Sequence, residues 1–588
     1  MRWGRRSLIA RMGLVRAEPS KSGPEMPDLP AGEEPPSCRR VIPSTRETSI
    51  VKRNMKRLGQ AATIAALVFG FAGLGIAATQ TAGSSLGIFE SQSDVGSVVP
   101  PGVASFNPGT GEYVIRSAGA NLWINVDGFH FVWKKVSGDV SLTADVKLAD
   151  AGPTASPHRK ALLMFRQTLD PDSMYADAAI HGSGETALQY RRNKGDTTQD
   201  IAFNIGAPQR LRLEKRGDTI TLFLSAHGEP LHQVGASIKL HFDGDFYAGL
   251  GVCAHNKDAV EQATFAHVDL QPLTPPAAPA PTALYSTLQT IAIDNNARMA
   301  FVIQTGKGQM EAPNWSRDGK TLIFNREGKL WSVPAAESNG SMVEATPIDI
   351  GNAGDCTGSH GLSPDGKWLA MTCTTPDHPG RRVYIVPAPG AIVPAAGAIV
   401  PTSGVTPRMV TANPDSYFHS WSPDGKTILF TRPSHGTLNI YAISPDGGGE
   451  TALTTGTGVS DDPDFSADGQ WIYFNSDRAG GMQIWRMKPD GSRPEQVTFD
   501  EKHNWTPHPS PDGKSILILS YDKDVTGHAA NKDVTLRIIN TADGKIRDLV
   551  QIVGGSGSDN VPNWAPDGAH FAFVSYQFLP ADDNGSTQ

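Results

Sequence analysis

The sequence predicts an all-β protein in two parts: an N-terminal antiparallel β-sandwich of jelly-roll type and a C-terminal six-bladed β-propeller. Three observations predict it. A turn motif ending in Asp-Gly recurs six times in the second half, alternating apolar and polar runs fill the first, and a Pro/Ala-rich stretch divides them. At 588 residues the chain is too long for one hydrophobic core. With 61 Gly and 44 Pro and no long amphipathic helical stretch, it favours short strands joined by tight turns.

Residues 1–54 are rich in Arg, Pro, Ser and Glu without apolar periodicity, and are expected to be disordered or an upstream extension from a misplaced start codon. At Met55 a new signal begins. Lys56 and Arg57 precede an apolar run from Ala61 to Ala78 and then small residues, which is the layout of a secretory signal peptide over 55–83, cut near Ala78–Ala82. The run is also about long enough to stay as a membrane anchor, and that alternative is open. Either way the mature chain is expected outside the cytoplasm, periplasmic or secreted, touching a membrane only through an uncleaved signal segment. A net charge of -8 excludes an electrostatic nucleic-acid binder, which needs a basic face. A monomer is expected.

Residues 84–273 carry the runs SLTADVKL, ALLMFRQT, MYADAAIH, ALQYRR, QRLRLEKRG, TITLFLS and FYAGLGVCAH, separated by Gly, Asp or Pro. Their period of two predicts half-buried strands of a sandwich. The segment 274–283, containing TPPAAPAPT, is a stiff linker.

From 284 to 580 the chain repeats. The copies are NWSRDGK (Asp318), GLSPDGK (Asp365), WSPDGK (Asp424), FSADGQ (Asp468), PSPDGK (Asp512) and WAPDGA (Asp567), spaced by 47, 59, 44, 44 and 55 residues. Gly supplies the positive φ of a hairpin turn and Asp bonds back to its backbone. Alternating strands such as TILFTR and WIYFNS follow each turn, and a third strand and a shorter fourth come after them. Four strands per ~45-residue unit make a propeller blade. The inserts 390–401 and 522–532 explain the two long spacings as loops on a rim or face. The sixth copy supplies only two strands. The missing pair is available upstream at Leu288–Ile293 and Met299–Gln304, so the ring closes with strands from both ends and leaves no free edge. Residues 581–588 form a disordered tail.

These repeats resemble the TolB-like propeller family, whose blades carry the same aromatic-SPDG turn. Arg317 and Ala467 depart from its Pro, and Ala565 from its Ser. The string LRLEKRGDTITLFLSAHGEPL in the first half resembles concanavalin A-like lectin/glucanase sandwiches, which implies glycan binding by analogy alone. TolB proper carries an N-terminal α/β domain where this chain carries a sandwich.

No G-x-S-x-G, H-E-x-x-H, P-loop or dinucleotide fingerprint occurs. The positions four or five before each motif Asp should face or rim the propeller channel. They hold His360, His419, Asp464 and His508, with Asn314 and Asn563 in the remaining blades and His503 close by. Imidazoles converging with a carboxylate there would form a ligand site, with a divalent metal at His360, His419 and His508 as the possible cofactor. The competing reading is polar side chains that hydrate a channel and bond neighbouring blades. In the sandwich, strand parity places Arg166, Gln189 and Arg191 opposite the core residues Leu163, Phe165, Leu188 and Tyr190, with Tyr175, Asp177 and His181 beside them. They form either a sugar-binding face or a solvated face laced with ion pairs. Trp315, Trp421, Phe465 and Trp564 are expected to pack between blades. Cys356 and Cys373 fall almost opposite each other across a hairpin, as a cross-strand disulfide or two buried thiols. The expected function is a binding or scaffold module for a glycan or protein at the cell envelope. The alternative is a metal-dependent carbohydrate-active lyase or hydrolase working in the channel.

Overall fold

The computed structural model describes residues 86–580 apart from 151, 153–154, 204, 236, 274–281, 294–296, 336–343, 390–403 and 457. The expected N-terminal extension, the signal segment, most of the linker, the 390–401 insert and the C-terminal tail lie outside the described residues. Among the described residues every regular element is a strand.

Five four-stranded antiparallel sheets follow one another along the chain. Blade one runs Met310–Trp315, Thr321–Arg326, Lys329–Pro334 and Thr346–Pro347. Blades two to five begin with the inner strands His360–Leu362, Tyr417–Trp421, Ser460–Phe465 and His503–Pro509. The sixth blade is built from both ends. A bridge at Trp564 pairs with Phe571, the strand His570–Pro580 pairs with Thr282–Ala292, and that strand pairs with Ala297–Lys307. The closing pair is therefore the one expected, and its first strand starts at Thr282, inside the segment read as linker.

The motif turns show why the repeat has its spelling. In the first five copies a Ser hydroxyl donates to the carboxylate of the Asp two residues on, as in Ser363 to Asp365 at 2.6 Å and Ser510 to Asp512 at 2.7 Å. The same carboxylate accepts the N–H two residues further, and the Ser oxygen accepts the N–H five residues on. The Gly of every copy sits at φ between 68 and 72°, where a side chain would strain the backbone. The sixth copy has Ala565 for Ser, and His570 takes over: its Nδ1 lies 2.7 Å from Asp567 Oδ2. At the first copy Arg317 replaces Pro and its guanidinium donates to the carbonyls of Leu362 and Ser363 in blade two.

Two antiparallel sheets make up the N-terminal part. The first orders Ser91–Val95, Phe129–Val136, Phe246–Cys253, Lys160–Arg166, Tyr175–His181, Thr186–Arg191 and Gln199–Phe203. The second orders His232–Gln233, Thr219–Ser225, Arg210–Arg216, Val140–Leu148, Glu261–Pro272, Glu112–Ser117 and Val103–Asn107. Leu163, Phe165, Leu188 and Tyr190 of the first meet Leu142, Leu211, Leu213 and Leu222 of the second in one core, as parity requires. Gln199–Phe203 then pairs in parallel with Ala297–Ala300, so the first sheet runs on into blade six as ten strands. Gln551 fixes the junction further: its carboxamide oxygen accepts from Thr219 and Lys239, and its carbonyl accepts from Gln233. Cys356 and Cys373 are joined as a disulfide within blade two.

The turn carboxylates set an acid limit. The Ser510 hydroxyl and the Lys514 N–H hold Asp512 down to about 2, and the Asp residues of the other turns are also lowered. A folded pKa below the unfolded value of about 4 contributes stability that is complete above pH 4 and disappears as pH falls through 2. Melting temperatures from pH 7 to 2 should therefore show Asp512→Asn less stable than the parent at neutral pH, with the gap closing between pH 4 and 2. A gap constant with pH would contradict this account.

Candidate functional site

At the motif end of the inner strands, residues of all six blades line one cavity of about 320 Å³. Its lining is mixed: Trp315, Trp421, Phe465 and Trp564 with Pro364, Pro423 and Pro511 from the turns, and polar Asn314, Ser420 and Ser466 among them. The four aromatic residues are at least nine-tenths buried and belong to inter-blade clusters, as expected. Two of them also tie neighbouring blades, Trp421 Nε1 donating to Gly361 O at 3.0 Å and Trp564 Nε1 to His508 O at 2.8 Å. Among the described residues, Asp464 and Arg317 bring ionisable groups to the lining.

The expected convergence of histidines does not form; the cluster divides. His508 lies against Asp464, Nδ1 to Oδ2 at 3.2 Å, and its Nε2 lies 2.6 Å from the Asp559 carbonyl. A carbonyl accepts only, so Nε2 carries a proton. Burial alone would lower the imidazole, yet the hydrogen bond and charge of Asp464 outweigh it and raise the ring's pKa. Burial raises Asp464 in turn. His419 instead lies among Thr431, Asp461 and Asp462. His360 is fully buried, 3.5 Å from Ile323 O, and burial lowers it to about 4. His503 sits half-buried at the far end of blade five, its Nδ1 accepting from Met482 N and its Nε2 3.1 Å from Lys523 O. The physical reason is register: His508, four residues before its Asp, is paired on the inner strand, while His419, five before, is the extra residue where the register shifts between Phe418 and Ser420. Asn314 and Asn563 serve the backbone, donating to Pro562 O and Ala572 O.

Residues outside that sequence window complete the His419 group. Asp461 and Asp462 stand seven and six before Asp468. The register shifts between Asp461 and Asp464, with Asp462 at φ 48°. Ala312 and Thr506, six before their own Asp, share that left-handed conformation. His528 enters from the blade-five insert, stacked on Trp505 at 4.7 Å, with Nδ1 3.9 Å from Asp462 Oδ2. Asp559, raised to about 7 by burial, accepts from Thr506. The Asp-Asp doublet was visible in the sequence; the return of a loop onto it was not.

The six sandwich residues do share one face. Arg166 is opposite Tyr175, Tyr175 opposite Arg191, Asp177 opposite Gln189, and His181 opposite Lys160. That face is closed, against the expectation of a sugar-binding or solvated surface: all six are at most 4% exposed. Residues 118–128 lie over it. Asp127 bonds both guanidiniums, 3.3 Å to Arg166 and 2.8 Å to Arg191, while the Trp123 and Ile124 carbonyls accept from Arg191. Leu122 packs with Phe129, Phe131, Leu162 and Tyr175 in a second apolar layer. His181 contacts Glu185 at 3.0 Å. Burial pushes Asp177 well above the usual carboxylate range.

With this geometry in view, the comparisons are specific. The profile of the TolB beta propeller domain matches residues 408–541. An uncharacterized protein of Agrobacterium fabrum is 40% identical over 279 residues, 47% of this chain and 88% of that one. The chain belongs to the TolB-like β-propeller family. A solved structure named "putative TolB" from Agrobacterium tumefaciens is 37% identical and covers 50% of this chain and 99% of its own, with a TM-score of 0.44. TolB from Acinetobacter baumannii is 18% identical, covering 47% of this chain and 65% of its own, with a TM-score of 0.34. In this TolB-like chain the axial cavity and the His419 group both bring together polar and aromatic side chains of several blades.

Removing one partner of a buried ion pair costs about 3–5 kcal/mol, because the remaining charge stays buried. Asp127→Ala strands two such charges, so urea unfolding should show a loss of at least that size. Asp127→Asn keeps hydrogen-bond acceptance and should lose less. A loss under 1 kcal/mol for Asp127→Ala would mean that the arginines find water instead.

Proposed function

We propose that this chain is an exported TolB-like propeller protein that acts as a binding module at the cell envelope, taking a segment of a partner protein into its axial cavity. The observation that carries this is a cavity to which all six blades contribute, lined in large part by tryptophan, phenylalanine and proline. Rigid aromatic walls that exclude water are where short apolar segments gain most of their binding energy. Asn314 and Ser466, which also line the cavity, add polar groups for orienting such a segment. Family membership, the signal-like segment 55–83 and the Cys356–Cys373 disulfide support a periplasmic or secreted location.

A glycan is the less favoured occupant. The concanavalin A-like resemblance of the sandwich suggests one, but the face expected to hold it lies under residues 118–128. The lyase or hydrolase alternative needs an acid and a base in the cavity. Among the described residues Asp464 is the one carboxylate in the lining, and it is engaged with His508.

A photo-crosslinking side chain at Ala467, exposed on the cavity rim, should capture a discrete envelope protein in cells. The same group at His435, on the hairpin at the other end of blade three, should not. Equal labelling at both positions would sink the reading. Residues 55–90 fused to alkaline phosphatase should give an active, exported enzyme, and an inactive fusion would remove the envelope location.

A further inference from the structure

Away from the axial cavity, blades three, four and five bring His419, Asp461, Asp462 and His528 together, with Asp559 of the sixth repeat coupled to them electrostatically. Hydrogen-bond directions settle the His419 tautomer. Asp461 Oδ1 accepts from the Thr431 hydroxyl at 2.9 Å, so the Thr431 oxygen is left to accept from His419 Nε2–H, also at 2.9 Å. Nδ1 of the neutral ring then holds a lone pair, and it points at Asp462 Oδ1 3.4 Å away. With Asp462 ionised, two acceptor atoms stand 3.4 Å apart in a site where His419 is 7% and Asp462 4% exposed.

His419 Nδ1 has no hydrogen-bond partner, and of the Asp462 carboxylate the oxygen on the His528 side, Oδ2, lacks one too. His419 Nδ1, Asp462 Oδ2, His528 Nε2 and Asp559 Oδ1 are all buried and unpartnered. Among the described residues, no lysine or arginine figures among the groups that shift Asp462; Asp461 and Asp559, both acidic, do. Buried carboxylates of this kind need a cation or a proton.

We propose that this niche binds one divalent metal ion of the zinc or manganese type, held by His419 Nδ1 and the carboxylates of Asp461 and Asp462. One ligand atom from each of these three residues lies within 4.8 Å of the other two. Ligands at about 2.1 Å from a tetrahedral ion stand about 3.4 Å apart, which is the His419 to Asp462 separation. The donor set of imidazole and carboxylate suits a borderline ion better than calcium, which takes six to eight oxygens. Thr431 engages the far nitrogen of the imidazole, the orienting arrangement that metal-bound histidines use. His528, clamped by Trp505 and Tyr521, stands next to Asp462 as a further imidazole. The site is independent of what occupies the axial cavity.

The test uses tag-free mature protein, stripped with EDTA and titrated with zinc, manganese and calcium chlorides by calorimetry, with metal content read by mass spectrometry. One zinc or manganese ion per chain and a raised melting temperature are expected. Asp462→Asn and His419→Ala should weaken binding at least 100-fold, while His435→Ala, on an exposed hairpin, should leave it unchanged. Asp462→Asn removes a buried charge and keeps the shape, so it decides the matter even if His419→Ala fails to fold. Folded protein that takes up no ion at millimolar concentration overturns the proposal. So does binding undiminished in Asp462→Asn, or a preference for calcium.

Discussion

Eleven consecutive residue pairs between Thr282–Ala292 and His570–Pro580 hold the two ends of the propeller together, and the rest of the molecule depends on that seam. Within the ring each blade packs on its two neighbours, so a ring with one gap would splay and lose its axis. The cavity exists because six inner segments are forced towards that axis. The seam joins residues almost three hundred positions apart, and its loop-closure entropy must be met before any axial contact forms. Long-range pairing of this kind makes the ring cooperative.

Within the ring, one chemical idea serves two purposes. At the turns, Ser and Asp side chains satisfy backbone N–H groups, so each hairpin is fixed without help from its neighbours. A few residues earlier, the polar side chains work between blades: Asn314 reaches Pro562, Ser420 reaches Pro463, and His508 reaches Asp559. Apolar residues there could not satisfy those inward carbonyls. The polar lining is thus partly structural, in line with the second reading of the sequence.

The fold was legible because its signals are local and repeated. The Asp-Gly corners marked six blades, and the two early strands supplied the pair that the sixth copy lacks. Strand parity also placed Arg166, Tyr175, Asp177, Gln189 and Arg191 on one face. Burial of that face was not legible, because its cover comes from 118–128, a segment without periodicity whose Asp127 is paired only through the tertiary fold. For the histidines, a one-residue difference in position put His419 at a register shift and left His508 paired. Asp461 and Asp462 are adjacent in sequence, but nothing there foretold that His528 would fold back from an insert onto them.

The pairing of Gln199–Phe203 with Ala297–Ala300 has a further consequence. Blade six ends in a strand whose outer backbone groups would otherwise be bare, and the sandwich supplies the neighbour that satisfies part of them. Freed of its N-terminal companion, the wheel would expose a sticky margin able to recruit other chains, the usual route from a sheet to an aggregate. The companion therefore covers part of that margin.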